Sequence, residues 1–469
     1  MKKNIILTTV LVFSVFASCD LIDGTGVENP NLTLDAARDL PNPATAFVNG
    51  LQEQLASTAN SCLTTQELAT DNYMNAQTFY NQNVDGGTYR DIDTDFRNCQ
   101  AAIGTLREQA DYVLTDVITI DPVPAKEAEA YFFRGIASLW SGEIFTTLPN
   151  DAVVAAVPPA THFAEAIADF TAALAIDGTN VSYLLARARA NYDAGNQAAA
   201  VADANAAITA DASGTYVRYI IFDGVDGPTN TIQDALHDRG GFDDLQPLPR
   251  LDFLDPKFFD ISGSVDSNVP LLKIEEAHLI LAEAEIADGD LPGARTVMTA
   301  VANLANSRAK STVDDSGEGR SGQGTVAQRP DTSAYSVRAS ASDPFVDGLV
   351  LDRVATLATP SISATSVTAA DITAIANDVD ALTTLYLLRQ EIFFAEGRRM
   401  FDLGIRWPVS EREALLNPNI VASDRVATVP AFLPPISEHD AFTDNAATFE
   451  VTIQHNLNRT IATGRGNRF

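Results

Sequence analysis

Lysine is nearly missing from this chain: six in 469 residues, two of them among the first three, within a total of 31 basic residues against 62 acidic ones. A formal charge of -31 repels polyanions, so nucleic acid is excluded as a partner. Long apolar runs are also lacking; the one at 5–16 is too short to span a bilayer as a helix. Histidine is sparse and scattered (His162, His237, His278, His439, His455), with no zinc-type spacing. No Gly-x-Ser-x-Gly elbow and no P-loop occur, and no acid-base pair stands out from the many carboxylates, so no catalytic residue and no cofactor are expected. Gly317, Gly319 and Gly322 spell Gly-x-Gly-x-x-Gly, but no apolar strand precedes them and no helix follows, which reads as a loop. Asp91, Asp93 and Asp95 alternate like the start of a calcium loop. Phe96 stands where its glycine is due and Ala102 where its closing acid is due, so no metal is expected there.

What is present begins with a targeting segment: Lys2, Lys3, the apolar run, then Ala17, Ser18 and Cys19. Small residues before a cysteine resemble the bacterial lipoprotein box. This implies a signal peptide over 1–18, lipidation at Cys19 and an export route. Residues 19–43 mix Asp, Gly, Asn and Pro without periodicity and read as a tether. Cys62 and Cys99 are compatible with a disulfide in an oxidising compartment or with two buried free thiols.

The body is organised around a repeat. Ala166, Phe170, Ala173, Leu174 and Asp177 recur 34 residues later as Ala200, Ala204, Ala207, Ile208 and Asp211, the tetratricopeptide period. Alanines let two helices approach closely, and Gly195-Asn196 supplies the turn between paired helices. Gly289 and Ala294 repeat the spacing of Gly195 and Ala200, giving a third unit over 271–309. Further helices are expected over 44–69, 96–118, from Pro124 with the stripe Ala128, Phe132, Gly135, Ile136, Leu139 and Trp140, and over 383–407. Two stretches lack a helical period, 71–90 and 216–266, and gather aromatics with Asn, Asp and Gly; long loops on a helical scaffold usually carry function. Residues 311–332 read as a Gly/Ser/Asp-rich loop.

Glu127-Ala-Glu-Ala-Tyr-Phe-Phe-Arg-Gly-Ile-Ala-Ser-Leu-Trp140, the stretch 271–287, Ala395-Glu-Gly-Arg-Arg-Met-Phe-Asp-Leu-Gly-Ile-Arg-Trp407 and the late Phe432-Leu-Pro-Pro-Ile436, with the lipoprotein signal, resemble the SusD/RagB family. The resemblance implies an all-α fold of tetratricopeptide-like hairpins with long structured loops: a core over 44–310 and a SusD-like region over 311–469 packed on it. It further implies a nutrient-binding lipoprotein of the outer membrane, facing the cell surface, that delivers an oligosaccharide or other nutrient to a SusC-like TonB-dependent transporter. Glu396, Arg399 and Asp402 would then tie the last helix to the repeats, as architecture rather than site.

Aromatic faces stack on sugar rings while Asn, Asp and Arg bond the hydroxyls. The expected ligand surface is therefore Asn72, Tyr73, Phe79, Tyr80, Asn83, Tyr89 and Arg90, aided by Tyr216, Phe222 and Phe242. The alternative is a tetratricopeptide scaffold for proteins, whose concave groove would lie near Tyr183, Arg187 and Asn191.

Overall fold

The computed structural model describes residues 37–75, 81–238, 245–258, 264–316 and 329–469. The leader, Cys19, most of the tether and the three glycines at 317, 319 and 322 lie outside these residues. Among the described residues no helix is long and apolar enough to cross a membrane.

The architecture is all-α, built on three helical hairpins. Helices α1 (Pro43–Leu68) and α2 (Thr94–Tyr112) precede them, α1 opened by a proline at its first turn and α2 capped by Asp93, whose side chain accepts from the Asp95 amide. The hairpins are α3 (Pro124–Ile144) with α4 (Pro159–Ile176), α5 (Val181–Asp193) with α6 (Gln197–Ala210), and α7 (Glu275–Ala287) with α8 (Leu291–Ser307). Gly195 and Gly289 turn the second and third hairpins at φ of 75° and 76°, a region in which a side chain would be strained. Ala166, Ala200 and Ala294, at one register position of the three second helices, are all fully buried.

Close packing of the first hairpin has its own device. A Cβ on Gly135 would stand 2.5 Å from the Phe170 ring, and one on Gly142 2.6 Å from the Phe163 ring, so each phenylalanine fills the hollow left by a glycine. An ion pair repeats as well: Arg134 of α3 meets Asp169 of α4 at 2.7 Å, and Arg187 of α5 meets Asp203 of α6 at 2.7 Å.

Four expectations are corrected. The stretch 216–266 contributes β1 (Val217–Ile220), which pairs antiparallel with β2 (Val269–Lys273), so the third unit opens with a strand rather than a helix. Residues 311–313, read as the start of a loop, belong to a strand, Lys310–Val313, paired with Leu357–Pro360. Residues 383–407 are not one helix: α9 (Asp378–Ile392) ends, the chain reverses through Ala395 (φ 58°) and Gly397 (φ 70°), and α10 (Arg399–Leu403) follows. A Cβ on Gly397 would lie 2.4 Å from Leu63, so the Glu-Gly-Arg-Arg motif is a tight turn against α1. The C-terminal region over 311–469, expected to be helical and irregular, also carries β3 (Ser336–Arg338), β4 (Phe442–Asn445) and β5 (Glu450–Ile453) in one small sheet, order β4-β5-β3, before α11 (Leu457–Gly464).

The C-terminal chain packs on the first helices of the second and third hairpins. Tyr192 of α5 meets the Phe469 ring edge-on at 5.4 Å, and its hydroxyl donates to Glu283 of α7 at 2.5 Å. Glu283 also accepts from Tyr386 of α9 and from the Arg468 amide. Beside them runs a buried ionic ladder, Glu143 to Arg189 at 2.6 Å, Arg189 to Glu276 at 3.9 Å and Glu276 to Arg398 at 2.5 Å. Below it, burial works against the Asp402 anion, yet Arg389 and Arg468 overcome that and hold its carboxyl down at about 2.

Candidate ligand face

The two stretches expected to carry the ligand surface meet where the first begins and within the second. Tyr73 and Met74 pair antiparallel with Pro247 and Gln246, and the Leu248 amide donates to the Asn72 carbonyl at 2.9 Å. Beneath this junction the polar groups are matched to one another. Arg399 grips Asp71 with two parallel bonds, at 2.7 and 2.8 Å. Gln390 donates to Asp71 at 2.9 Å and to Asn72 at 3.1 Å, and Asn458 donates to Gln390 at 2.8 Å. Asn72 in turn donates to Glu67 at 2.6 Å, whose other oxygen takes the Gly397 amide at 2.7 Å. Burial dominates at Glu67 and pushes its carboxyl up to about 7, despite the bonds from Asn72 and Gly397.

This arrangement corrects part of the expected site. Asn72 and Tyr73 are fully buried: Asn72 is a strut of the network, and the Tyr73 ring stacks on Phe394 at 4.9 Å. Their residue types suit a ligand, but they stand at the root of the loop, where the core claims them. Phe222 is also buried. Tyr216 is half-buried and spends its hydroxyl on Ser182 of α5 rather than at this junction. Phe79, Tyr80 and Phe242 lie outside the described residues.

Asn83, Tyr89 and Arg90 remain. Asn81 caps a short helix, Gln82–Asp85, by accepting from the amides of Asn83 and Val84, and its own amide reaches Asp93 and Asp95. Gly87 (φ 77°) turns the chain against Ile436, where a Cβ would come within 2.7 Å. Asn83 and Arg90 are exposed, and Tyr89 is half-buried, its hydroxyl donating to the Ala69 carbonyl at 3.3 Å and its ring edge-on to Phe96. Asp85 lies inward: burial first, then the nearby Asp440 carboxylate, raises it to about 8 against the pull of Arg329. A carboxyl that stays protonated near neutrality can donate a hydrogen bond as well as accept one.

Other solvent-facing aromatics went unread in the sequence. Phe345 is 37% exposed, and the Arg338 guanidinium lies 4.6 Å over its ring, fixed by bonds to Thr452 and the Ala341 carbonyl. The signal was the alternation in Ser336-Val337-Arg338, which turns Val337 inward while Ser336 and Arg338 stay on the wetter face.

The residues expected to line a scaffold's groove are engaged within the chain. Tyr183 is buried and donates to Glu129, Asn191 is buried beside Asp203, and Arg187 is engaged by Asp203. Cys62 of α1 and Cys99 of α2 are joined by a disulfide, both fully buried. No group of three or more metal-ligating side chains stands together among the described residues, and Asp93 serves as a helix cap.

No family model and no curated protein sequence matches the chain. Solved structures do. A SusD superfamily protein from Bacteroides thetaiotaomicron VPI-5482 aligns at a TM-score of 0.53 and 10% identity, covering 81% of this chain and 98% of the other. One from Bacteroides vulgatus ATCC 8482 aligns at 0.50 and 12%, with 81% and 98% covered. The fold is SusD-like. Another Bacteroides vulgatus ATCC 8482 protein, provisionally named a sugar binding protein, aligns at 0.54 and 15%, with 81% and 97% covered. Almost the whole of each SusD-like chain is thus matched. At such identities the likeness concerns backbone and topology.

Proposed function

We propose that this chain is a non-enzymatic nutrient-binding lipoprotein of the outer membrane, anchored through Cys19, that captures an oligosaccharide and delivers it to a SusC-like TonB-dependent transporter. The observation that carries the reading is the SusD-like fold over 81% of the chain, shared with a protein provisionally named for sugar binding. The contacts of the C-terminal chain with α5 and α7 favour it over the scaffold, because a scaffold needs a face of its repeats free for a partner. In this reading Asn83, Tyr89 and Arg90 contribute to the ligand surface: an amide and a guanidinium for hydroxyls beside a half-exposed ring.

Calorimetry against a panel of neutral oligosaccharides tests the site. Asn83→Ala and Arg90→Ala remove exposed groups and should leave melting unchanged while weakening binding at least several-fold. If both variants bind every glycan as the parent does, the loop is not the site. Fractionation of Cys19→Ala tests the anchor; a variant still held in the membrane without a transporter present would refute lipidation at that residue.

A further inference from the structure

We propose that a cavity beside the first hairpin binds a small organic polycation, a flexible chain carrying several ammonium groups. The cavity, about 610 Å³, lies where α2, both helices of the hairpin and the connector between them meet, and none of the residues expected to form the ligand face lines it. Its wall sets six carboxylates against two guanidiniums. Arg134 is already committed, to Asp111 at 2.6 Å and Asp169 at 2.7 Å, and Arg107 turns to the Pro149 carbonyl at 3.0 Å. Glu165 takes the Asn150 amide at 2.5 Å and stands 3.7 Å from His162. The other three carboxylates have no cation as partner among the described residues: Glu108 is exposed and unbonded, Asp116 accepts from its neighbour Thr115 at 2.9 Å, and Asp151 from the Ala152 amide at 2.6 Å.

A solvated acidic face needs nothing more than charge, but this wall also presents an unused hydroxyl. Ser138 of α3 is 3% exposed and lines the cavity, and its side chain has no hydrogen-bond partner among the described residues. A buried polar group that the fold leaves unsatisfied calls for a partner, and here the cavity is where one can stand. The helix on the opposite side is irregular at the same place. After Tyr112, α2 widens into a π turn, Val113–Val117, before a last short turn, Ile118–Ile120. Such turns are rare and gather at functional sites, and this one brings Thr115 and Asp116 to the wall. The spread of the carboxylates selects the ligand. No three metal-ligating side chains stand together among the described residues, and Glu108 and Asp116 are separated by roughly 12 Å of helix rise. One metal ion cannot meet both, whereas a chain with ammonium groups at intervals can, with the Ser138 hydroxyl accepting from one of them. The field of a protein of charge -31 concentrates such cations at its surface.

Titration calorimetry of the intact chain with spermidine, in about 0.15 M sodium chloride to screen diffuse attraction, should show saturable binding of one molecule per chain. Magnesium at equal ionic strength should not compete. Glu108→Gln combined with Asp116→Asn should weaken spermidine roughly tenfold or more, the factor that one charge-assisted hydrogen bond gives. Ser138→Ala should weaken it several-fold and leave melting unchanged, because the fold makes no use of that hydroxyl; a merely structural serine would move the melting and spare the affinity. Asp226→Asn, an exposed acid that does not line the cavity, should bind as the parent does. Absence of saturable binding overturns the proposal, as does equal weakening by Asp226→Asn or full competition by magnesium, since either makes the protein's overall charge the cause. If spermidine fails and a short oligolysine binds in a Glu108-dependent way, the cavity receives a basic segment of a partner protein and the small ligand is refuted.

Discussion

Replacing Glu396 by Gln should destabilise the protein in a way that depends on pH. One oxygen of Glu396 accepts from both Lys257 and Lys273, the latter at 2.7 Å, and all three side chains are almost wholly buried. Glutamine keeps the shape and removes the charge, leaving two buried ammonium groups without their counter-ion, a loss of about 3–5 kcal/mol. For a chain of this size that is a fall in melting temperature on the order of 5–10 °C. Burial already lowers Lys273 to about 8 with Glu396 in place, and without that carboxylate it must fall further. A lysine with a depressed folded pKa carries its full penalty below that pKa and sheds it as pH rises towards the unfolded value. Above about pH 8 parent and variant are both losing the Lys273 proton, so the deficit should be widest near pH 6 and narrow by about pH 9.5. Calorimetric melting of both proteins across that range is the assay. A deficit that stays constant with pH, or a variant that melts normally yet loses glycan binding, would refute the reasoning.

Opening the Cys62–Cys99 disulfide, which closes a 37-residue separation, should cost about 4 kcal/mol if its effect is mainly on the unfolded chain; melting with and without reductant reads it. Gly135→Ala should cost about 1–3 kcal/mol, because the new methyl meets the Phe170 ring, whereas Gly50→Ala on α1, with nothing within 4 Å, should not destabilise; chemical denaturation of the two variants compares them. Glu67 titrates at about 7 in the folded state against an ordinary value of 4.5, so the unfolded chain loses its proton first and stability falls as pH rises between those values. Glu67→Gln should therefore show a shallower decline from pH 4.5 to 7, and an identical slope would contradict the assignment.

The hairpins were legible because their signal is local. The small residues of 166–207 recur at a fixed period, and the turn glycines stand at fixed offsets from them. The loop roots were not, because what separates a ligand tyrosine from a buried one is a distant partner: Tyr73 meets Phe394, and Asp71 meets Arg399 across 328 residues. Amide and aromatic residues gathered without periodicity look the same whether they are struts or contacts. The broken helix at 393–398 was hidden for a related reason. Its residues fit a helical stripe, but the left-handed Ala395 and Gly397 are imposed by contacts with Leu63, Gln66 and Glu67 of α1. Of the surface expected from sequence, only Asn83, Tyr89 and Arg90 are at or near solvent among the described residues of the first loop.

The burial of basic residues sharpens which ligands such a surface can hold. Arg189, Arg389, Arg398 and Arg399 are each spent on internal carboxylates, and so are Lys257 and Lys273. With Lys2 and Lys3 outside the described residues, only Lys126 and Lys310 of the six lysines remain for the described surface. Buried carboxylates pair with these cations, so the exterior keeps the excess of acids over bases that the sequence shows. Carboxylates repel anions over roughly 10 Å at 0.1 M salt, so the net charge opposes the approach of a sulfated or uronic-acid-rich glycan. Neutral oligosaccharides escape this, since their hydroxyls accept and donate without net charge. Binding of a neutral glycan should accordingly change little between about 0.05 and 0.5 M sodium chloride. Whatever affinity exists for a sulfated polymer should be weaker and should rise as salt screens the repulsion. Tight binding of a polyanion that weakens with salt would place a cationic ligand site on this surface and overturn the inference.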